Sequence, residues 1–222
     1  MTEVFKMIGI LFVILAYLLG SIPFSYILGI LIKGKDIRKF GSGNLGTTNA
    51  FRVLGKPIGF TVLILDTCKS GLLVALMLYT NLFSGLELFH PLVYGLASVI
   101  GHVYPIWFKF KGGKGVASSF GLLIAYNPWI GVIILPVFLI TEYCSRYVSV
   151  SSTVSALLTL FLVVVLHFTY QADLVLVIIT LLAVSIIIIR HRGNYVRLKN
   201  GTENRVKLFD KLDLFLKKNK DK

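Results

Sequence analysis

MIGILFVILAYLLGSIPFSYILGILI, residues 7–32, carries no charged side chain and is interrupted only at Gly20-Ser21-Ile22-Pro23. A helix needs about 20 apolar residues to cross the hydrocarbon core of a bilayer, so this run reads as a membrane span. Ser and Pro inside a span are tolerated where neighbours satisfy the freed backbone carbonyl, and a kink is expected there. The run extends well past the length of a signal-peptide apolar region and lacks a cleavage pattern. It reads as a retained span.

Outward from that run, six more apolar segments follow, at about 57–81, 90–110, 116–126, 128–143, 153–168 and 173–189. The fourth span is short, so its start lies partly within the glycines before it or is sunk in protein. A chain that is 56% hydrophobic with mean hydropathy +0.82 is not a soluble domain. The expected fold is an all-α integral membrane protein with seven transmembrane helices. It forms one membrane domain over residues 1–222, with 190–222 as a basic tail whose last part, from 206 to 216, has an amphipathic pattern. Cys68 and Cys144 fall in apolar segments and are too few for a disulfide framework, so both are expected to be buried thiols.

Charge fixes the sidedness. Of the 23 lysines and arginines, only Lys6 and Lys69 lie outside the tail and the loops after the first, third and fifth spans. The positive-inside rule then puts the N-terminus outside and the tail in the cytoplasm. A net charge of +13 on such a chain points to anionic headgroups or anionic substrates, and no nucleic-acid module is recognisable. Asp66 and Lys69 stand three apart on one face of the second span and read as a structural ion pair lining the bundle. His102 reads as a hydrogen-bonded structural histidine, and His90 and His167 as interfacial residues without chemistry.

Four polar clusters share the cytoplasmic side. The basic loop 33–56 contains Gly41-Ser42-Gly43-Asn44-Leu45-Gly46-Thr47-Thr48-Asn49-Ala50-Phe51-Arg52, whose glycines can turn backbone N–H groups toward one anion. Ser42, Thr47 and Thr48 add hydroxyls, and Arg52 adds a planar fork suited to phosphate. In Lys109-Phe110-Lys111-Gly112-Gly113-Lys114-Gly115, Lys114 stands at a helix entry, where anions meet the positive end of the dipole. Ser149, Ser151 and Ser152 sit where a helix N-cap is expected. His191 and Asn194 share a face if the last span continues. Together these describe a basin for one or two phosphates on a substrate with a greasy part. Metal-ligand spacing, a Walker loop and a serine nucleophile elbow are all missing from the sequence. None of the four histidines is followed five residues later by aspartate, which excludes a His/Asp acyltransferase dyad. The cytoplasmic loops hold too few acids for a CDP-alcohol phosphotransferase.

Three stretches carry a resemblance. They are Ile37-Arg38-Lys39-Phe40 leading into GSGNLGTTNAFRVLG, Gly101-His102-Val103-Tyr104-Pro105 leading into KFKGGKGVAS, and Arg146-Tyr147-Val148-Ser149-Val150-Ser151-Ser152. They are similar to the signature motifs of the bacterial acyl-phosphate:glycerol-3-phosphate acyltransferases, the PlsY family. The Gly20–Phe24 kink and the segment from His191-Arg192-Gly193-Asn194 to Gly201-Thr202-Glu203 are also similar, so the likeness spans almost the whole chain. Two departures are small: Thr47 stands where the family usually has alanine, and Ser70 separates Lys69 from Gly71.

The resemblance implies transfer of a fatty acyl group from acyl phosphate to the 1-hydroxyl of glycerol 3-phosphate, giving lysophosphatidate and inorganic phosphate. It implies an acyl-phosphate site at Ser42, Gly43, Asn44, Gly46 and Thr48. The glycerol-phosphate site falls at Arg52, Lys114, Ser151, Ser152, His191 and Asn194, with Lys114, Arg52, His191 and Asn194 carrying the catalytic role. No metal or cofactor is expected, and no obligate protein partner. The expected location is the bacterial cytoplasmic membrane, with the site on its cytoplasmic face. The substrate's own phosphate is the expected proton acceptor, with His191 as the rival base. The alternative function is a small transporter or channel for an anionic metabolite, with the basin as its vestibule.

Overall fold

The structure, a computed structural model, describes residues 2–80 and 89–206, with side chains from residue 7 onward. Among the described residues there is no strand. The elements are α1 (Thr2–Gly20), α2 (Phe24–Lys33), α3 (Thr47–Leu54), α4 (Lys56–Tyr79), α5 (Pro91–Val103), α6 (Val116–Tyr126), α7 (Pro128–Ser145), α8 (Val148–Tyr170) and α9 (Leu174–Lys199). Short 3-10 turns at Ile37–Lys39 and Ile106–Phe108 separate some of them.

Among the described residues, six segments are long and apolar enough to cross a membrane: Met7–Lys33, Lys56–Tyr79, Pro91–Phe108, Pro128–Ser145, Val148–Tyr170 and Leu174–Lys199. The remaining apolar helix, α6, has 11 residues, roughly 16 Å of rise, which is short of a bilayer core. It is sunk in protein, with Leu122 fully buried in one cluster with Val74, Val99 and Val163. Its backbone lies directly on α4. A Cβ added at Gly121 would stand 2.0 Å from the Thr67 carbonyl oxygen, so only glycine permits this approach. Lipid tails supply no hydrophobic drive between helices, and close backbone packing of small residues takes its place.

The expected kink is the break between α1 and α2. The Ile22 carbonyl freed there accepts from Lys69 Nζ at 3.1 Å, and Ser21 Oγ donates to the Tyr17 carbonyl at 2.9 Å. At the end of the bundle away from the glycine loops, Asp173 caps α9 by accepting from the Val175 N–H at 2.8 Å. The same carboxylate accepts from Tyr126 Oη at 2.8 Å and pairs with His90 Nε2 at 2.9 Å, which ties the start of α5 to the end of α6. His167 Nδ1 lies 2.5 Å from the Ala172 carbonyl oxygen, in the same turn.

Several expectations need correction. The stretch 33–56 is not all loop, because Thr47–Leu54 is helical. The serines at 149–152 are not N-caps: Tyr147 holds that position, makes no side-chain cap bond, and leaves the serines inside the first turns of α8. The last span does not stop near 189, since α9 runs on to Lys199 and carries His191 and Asn194 with it. Cys68 and Cys144 are exposed on the outer surface of their helices, not buried. Except for Val206, the amphipathic segment from 206 to 216 lies outside the described residues. The Val206 N–H donates to the Arg146 carbonyl at 2.8 Å.

Candidate active site

The first glycine loop is built around Asn49, a residue with no assigned role in the sequence reading. Its side chain is 2% exposed. Nδ2 donates to the carbonyls of Ile37 (3.3 Å), Phe40 (3.2 Å) and Asn44 (3.0 Å), and Oδ1 accepts from the Ser42 N–H at 3.0 Å. Ser25 Oγ donates to the Leu45 carbonyl from α2. Asn44 accepts from the Gly46 N–H at 2.8 Å and donates to the Gly112 carbonyl at 3.2 Å, so one side chain joins the two glycine loops.

This wiring changes the role of the glycines. The N–H groups of Ser42, Gly43 and Gly46 are all spent inside the loop. In the second loop, the Gly112 N–H donates to the Val103 carbonyl at 3.1 Å and the Gly113 N–H to the His102 carbonyl at 3.0 Å. The N–H groups of Ser42, Gly43, Gly46, Gly112 and Gly113 are therefore not free for an anion. Gly113 is glycine for space, because a Cβ there would lie 1.9 Å from Nε2 of His102. In the first turn of α3 the N–H groups of Asn49 and Ala50 bond to the Gly46 carbonyl, and the side chains of Ser42, Thr48 and Arg52 are exposed beside it.

Arg190, at the last part of α9, reaches back to the second loop. Its guanidinium donates to the carbonyls of Gly112 (3.2 Å) and Gly113 (3.4 Å) and stacks over Tyr104. One turn further, Lys114 Nζ donates to Asn194 Oδ1 at 2.5 Å, and Asn194 Nδ2 donates to Glu203 Oε1 at 2.8 Å. Glu203 Oε2 accepts from Arg197 Nε, also at 2.8 Å. Arg52 interacts electrostatically with both Glu203 and Arg197, which brings the first loop's arginine to the same cluster. Burial pushes the Lys114 ammonium down to about 8; Glu203 opposes that shift, while Arg197, Arg190 and Arg52 add to it.

His191 is 2% exposed, and its Nδ1 lies 2.9 Å from the Ile187 carbonyl oxygen. A carbonyl can only accept, so Nδ1 carries the proton and Nε2 keeps the lone pair of the neutral ring. The ring stacks on Tyr195, whose hydroxyl shares a 2.8 Å hydrogen bond with Thr153 on α8. On α8 itself, Ser151 Oγ donates to the Tyr147 carbonyl at 3.1 Å. The Ser149 and Ser152 hydroxyls are buried without a hydrogen-bond partner. A hydroxyl left in that state costs about 1–3 kcal/mol, which a bound acceptor removes.

Contacts thus join all four polar stretches at one end of the bundle. Lys114 reaches Glu203 through Asn194, Arg52 feels the charge of Glu203, and Asn44 bridges the loops. Ser42, Gly43 and Thr48 lie on the exposed rim, and Ser152 offers an unpaired hydroxyl from α8. Ser151 is already engaged with its own helix. The sequence gives no role to Asn49, Arg190, Arg197 or Glu203, all of which bond at this end. In sequence Arg190 reads as tail charge, and Glu203 falls in a polar segment with no pattern of its own.

The family model described as glycerol-3-phosphate acyltransferase matches residues 10–201. The chain is 46% identical over 202 residues to the glycerol-3-phosphate acyltransferase of Enterococcus faecalis, covering 89% of this chain and 91% of that one. It is 44% identical over 199 residues to the enzyme of the same name from Bacillus subtilis, covering 89% and 97%. The crystal structure of PlsY, an integral membrane glycerol 3-phosphate acyltransferase, in its glycerol 3-phosphate form superposes with a TM-score of 0.79 at 36% identity, over 92% of this chain and 98% of that chain. Its lysophosphatidic acid form gives 0.75 at 36% identity, over 89% and 94%. This chain belongs to the glycerol-3-phosphate acyltransferase family.

Proposed function

We propose that this membrane acyltransferase moves a fatty acyl group from acyl phosphate to the 1-hydroxyl of glycerol 3-phosphate, releasing lysophosphatidate and inorganic phosphate. The carrying observation is the Lys114–Asn194–Glu203–Arg197 chain with Arg52 beside it, a cation cluster fed by three separate stretches of sequence. Family membership removes the transporter reading. The first loop, with Ser42, Gly43, Asn44, Gly46 and Thr48, takes the acyl phosphate. Arg52, Lys114, Ser151, Ser152, His191 and Asn194 take glycerol 3-phosphate, and the unpaired Ser152 hydroxyl supports that assignment.

In the reaction, the 1-hydroxyl oxygen attacks the acyl carbonyl carbon, the carbon–oxygen bond to the phosphate breaks, and the phosphate leaves with the electron pair. Acyl phosphate is a mixed anhydride with a good leaving group, so positioning and charge neutralisation carry most of the catalysis. The hydroxyl proton passes to a phosphate oxygen of the substrate. His191 is the rival base, since its Nε2 holds a lone pair. Arg52 and Lys114 neutralise phosphate charge, Arg52 through its planar fork.

The chain crosses the bilayer of a bacterial cytoplasmic membrane seven times, with α6 as a short, protein-covered crossing. Its N-terminus is outside, and the site faces the cytoplasm. The distribution of Lys and Arg supports that orientation. No cofactor and no obligate protein partner take part. Purified protein given acyl phosphate and glycerol 3-phosphate should release phosphate and lysophosphatidate in equal amounts. Absence of both products from folded protein refutes the assignment.

A further inference from the structure

Asp66 lies in α4, is 1% exposed, and belongs to none of the motif stretches. One carboxylate oxygen accepts from Lys69 Nζ at 2.8 Å and faces His102 Nδ1 at 3.5 Å. The other accepts from Thr47 Oγ1 at 3.3 Å. Its backbone carbonyl accepts from Ser118 Oγ at 3.0 Å. Each partner begins or ends a different part of the site. Thr47 is the first residue of α3, directly after the first glycine loop. His102 is at the end of α5, where its carbonyl takes the Gly113 N–H and its ring covers the Cα of that glycine. Ser118 is in the first turn of α6, four residues after Lys114.

A lone ion pair in a membrane helix needs only one partner. This carboxylate has a hydroxyl, an ammonium and an imidazole placed around it from three helices. Low dielectric strengthens contacts of this kind, and the two longer ones, to Thr47 at 3.3 Å and His102 at 3.5 Å, are those that reach other helices. We infer that Asp66 is a positioning residue that fixes the distance between the first and second glycine loops, with His102 as its leg to the second loop and the Thr47 hydroxyl as a leg to the first that is particular to this chain.

The inference rests on the functional reading above, in which the first loop holds the acyl donor and the second, through Lys114, helps hold the acceptor. The two subsites must then bring a hydroxyl oxygen to about 3–3.5 Å from a carbonyl carbon, and an error near 1 Å costs about a hundredfold in rate. A slack Asp66–Thr47 leg lets the loops shift relative to each other while each keeps its own ligand contacts. Asn44 still bridges the loops through the Gly112 carbonyl, so the shift is partial.

Thr47→Val removes the hydroxyl at nearly constant shape, and Thr47→Ser keeps it. Both are measured beside the wild-type protein in detergent, with kcat, equilibrium binding of each substrate alone, and the melting temperature. The expected result for Thr47→Val is a kcat lower by about tenfold, with binding of acyl phosphate alone and glycerol 3-phosphate alone unchanged and an unchanged melting temperature. Thr47→Ser recovers the wild-type kcat. A wild-type kcat in Thr47→Val overturns the inference. So does loss of binding of either substrate in proportion to the rate, a Thr47→Ser as slow as Thr47→Val, or a Thr47→Val protein that does not fold. If the wild-type protein itself forms no lysophosphatidate, the functional reading has failed first, and the wild-type control separates the two failures.

Discussion

Raising the pH titrates one group of the cation cluster in a predictable direction. An ordinary lysine loses its proton near 10.4, but Lys114 does so at about 8 in the empty site, because burial disfavours its charge and three arginines repel it. The shift is downward, so between about pH 8 and 10 the free protein holds a neutral amine where an ordinary lysine is charged. A glycerol-phosphate dianion favours the charged form. Binding therefore raises the Lys114 pKa and, above pH 8, draws a proton from solution. At pH 7 about nine-tenths of the free protein is already charged; at pH 9 about one-tenth is. Linkage then predicts a dissociation constant for glycerol 3-phosphate that changes little from about pH 7 to 7.5 and is about tenfold weaker at pH 9.

Calorimetry of glycerol 3-phosphate binding without the acyl donor reads this directly. Acyl phosphate is left out because alkaline hydrolysis of the anhydride would distort a rate. Titrations in two buffers of different ionisation enthalpy count the protons: close to one taken up per ligand at pH 9, and close to none at pH 7. Lys114→Arg keeps its charge throughout this range, so a variant that still binds has no pH step. Equal affinity at pH 7 and 9 in the wild-type protein, or the same step in Lys114→Arg, refutes the assignment of this titration to Lys114.

Arg52→Ala should lower kcat/KM for glycerol 3-phosphate by about a hundredfold or more, and Arg52→Lys should recover little, since a point charge does not replace the fork; steady-state kinetics of the three proteins decide it. Ser152→Ala removes a hydroxyl that is buried without a partner, so its melting temperature should match or exceed that of the wild-type protein while the KM for glycerol 3-phosphate rises. A falling melting temperature with an unchanged KM would make that serine structural. Asn49→Ala breaks four hydrogen bonds within one loop and should destabilise by about 2–4 kcal/mol, read as a lower midpoint in thermal unfolding. Cysteines placed at Asn44, Lys111, Ser152 and Asn194 in a background lacking Cys68 and Cys144 should resist an impermeant thiol reagent in intact cells; those at exposed positions should react in inverted vesicles. Labelling of any of them from outside the cell reverses the proposed orientation.

The membrane helices were legible because their signal is composition over 18 residues or more, and a buried partner changes little of it. Even the short α6 showed itself, since Val116–Tyr126 is bounded by glycines and Asn127-Pro128. What composition hid were helices written in polar letters. Thr47–Leu54 begins after Gly46, which has no side chain to act as a cap, and it reads as loop until Asn49 is seen folded under it. The end of α9 was hidden by the opposite effect. Arg190, His191 and Arg192 look like the start of a tail, yet Arg190 and His191 are turned inward by the carbonyls of Gly112, Gly113 and Ile187.

The deeper miss concerns what glycine is for. A Gly-rich loop beside a lysine has two physical readings: free N–H groups for an anion, or room for another chain to come close. Sequence cannot separate them, because the answer depends on which carbonyl lies opposite each N–H. Here the carbonyls of Val103 and His102 lie opposite Gly112 and Gly113, and those N–H groups are spent. Side-chain cations stand at this end beside them: Arg197 bonds to Glu203, Lys114 reaches it through Asn194, and Arg52 feels its charge. Glu203 reaches them only because the chain turns back after α9, with the Val206 N–H held by the Arg146 carbonyl. That return joins residues far apart in sequence, and no local pattern announces it.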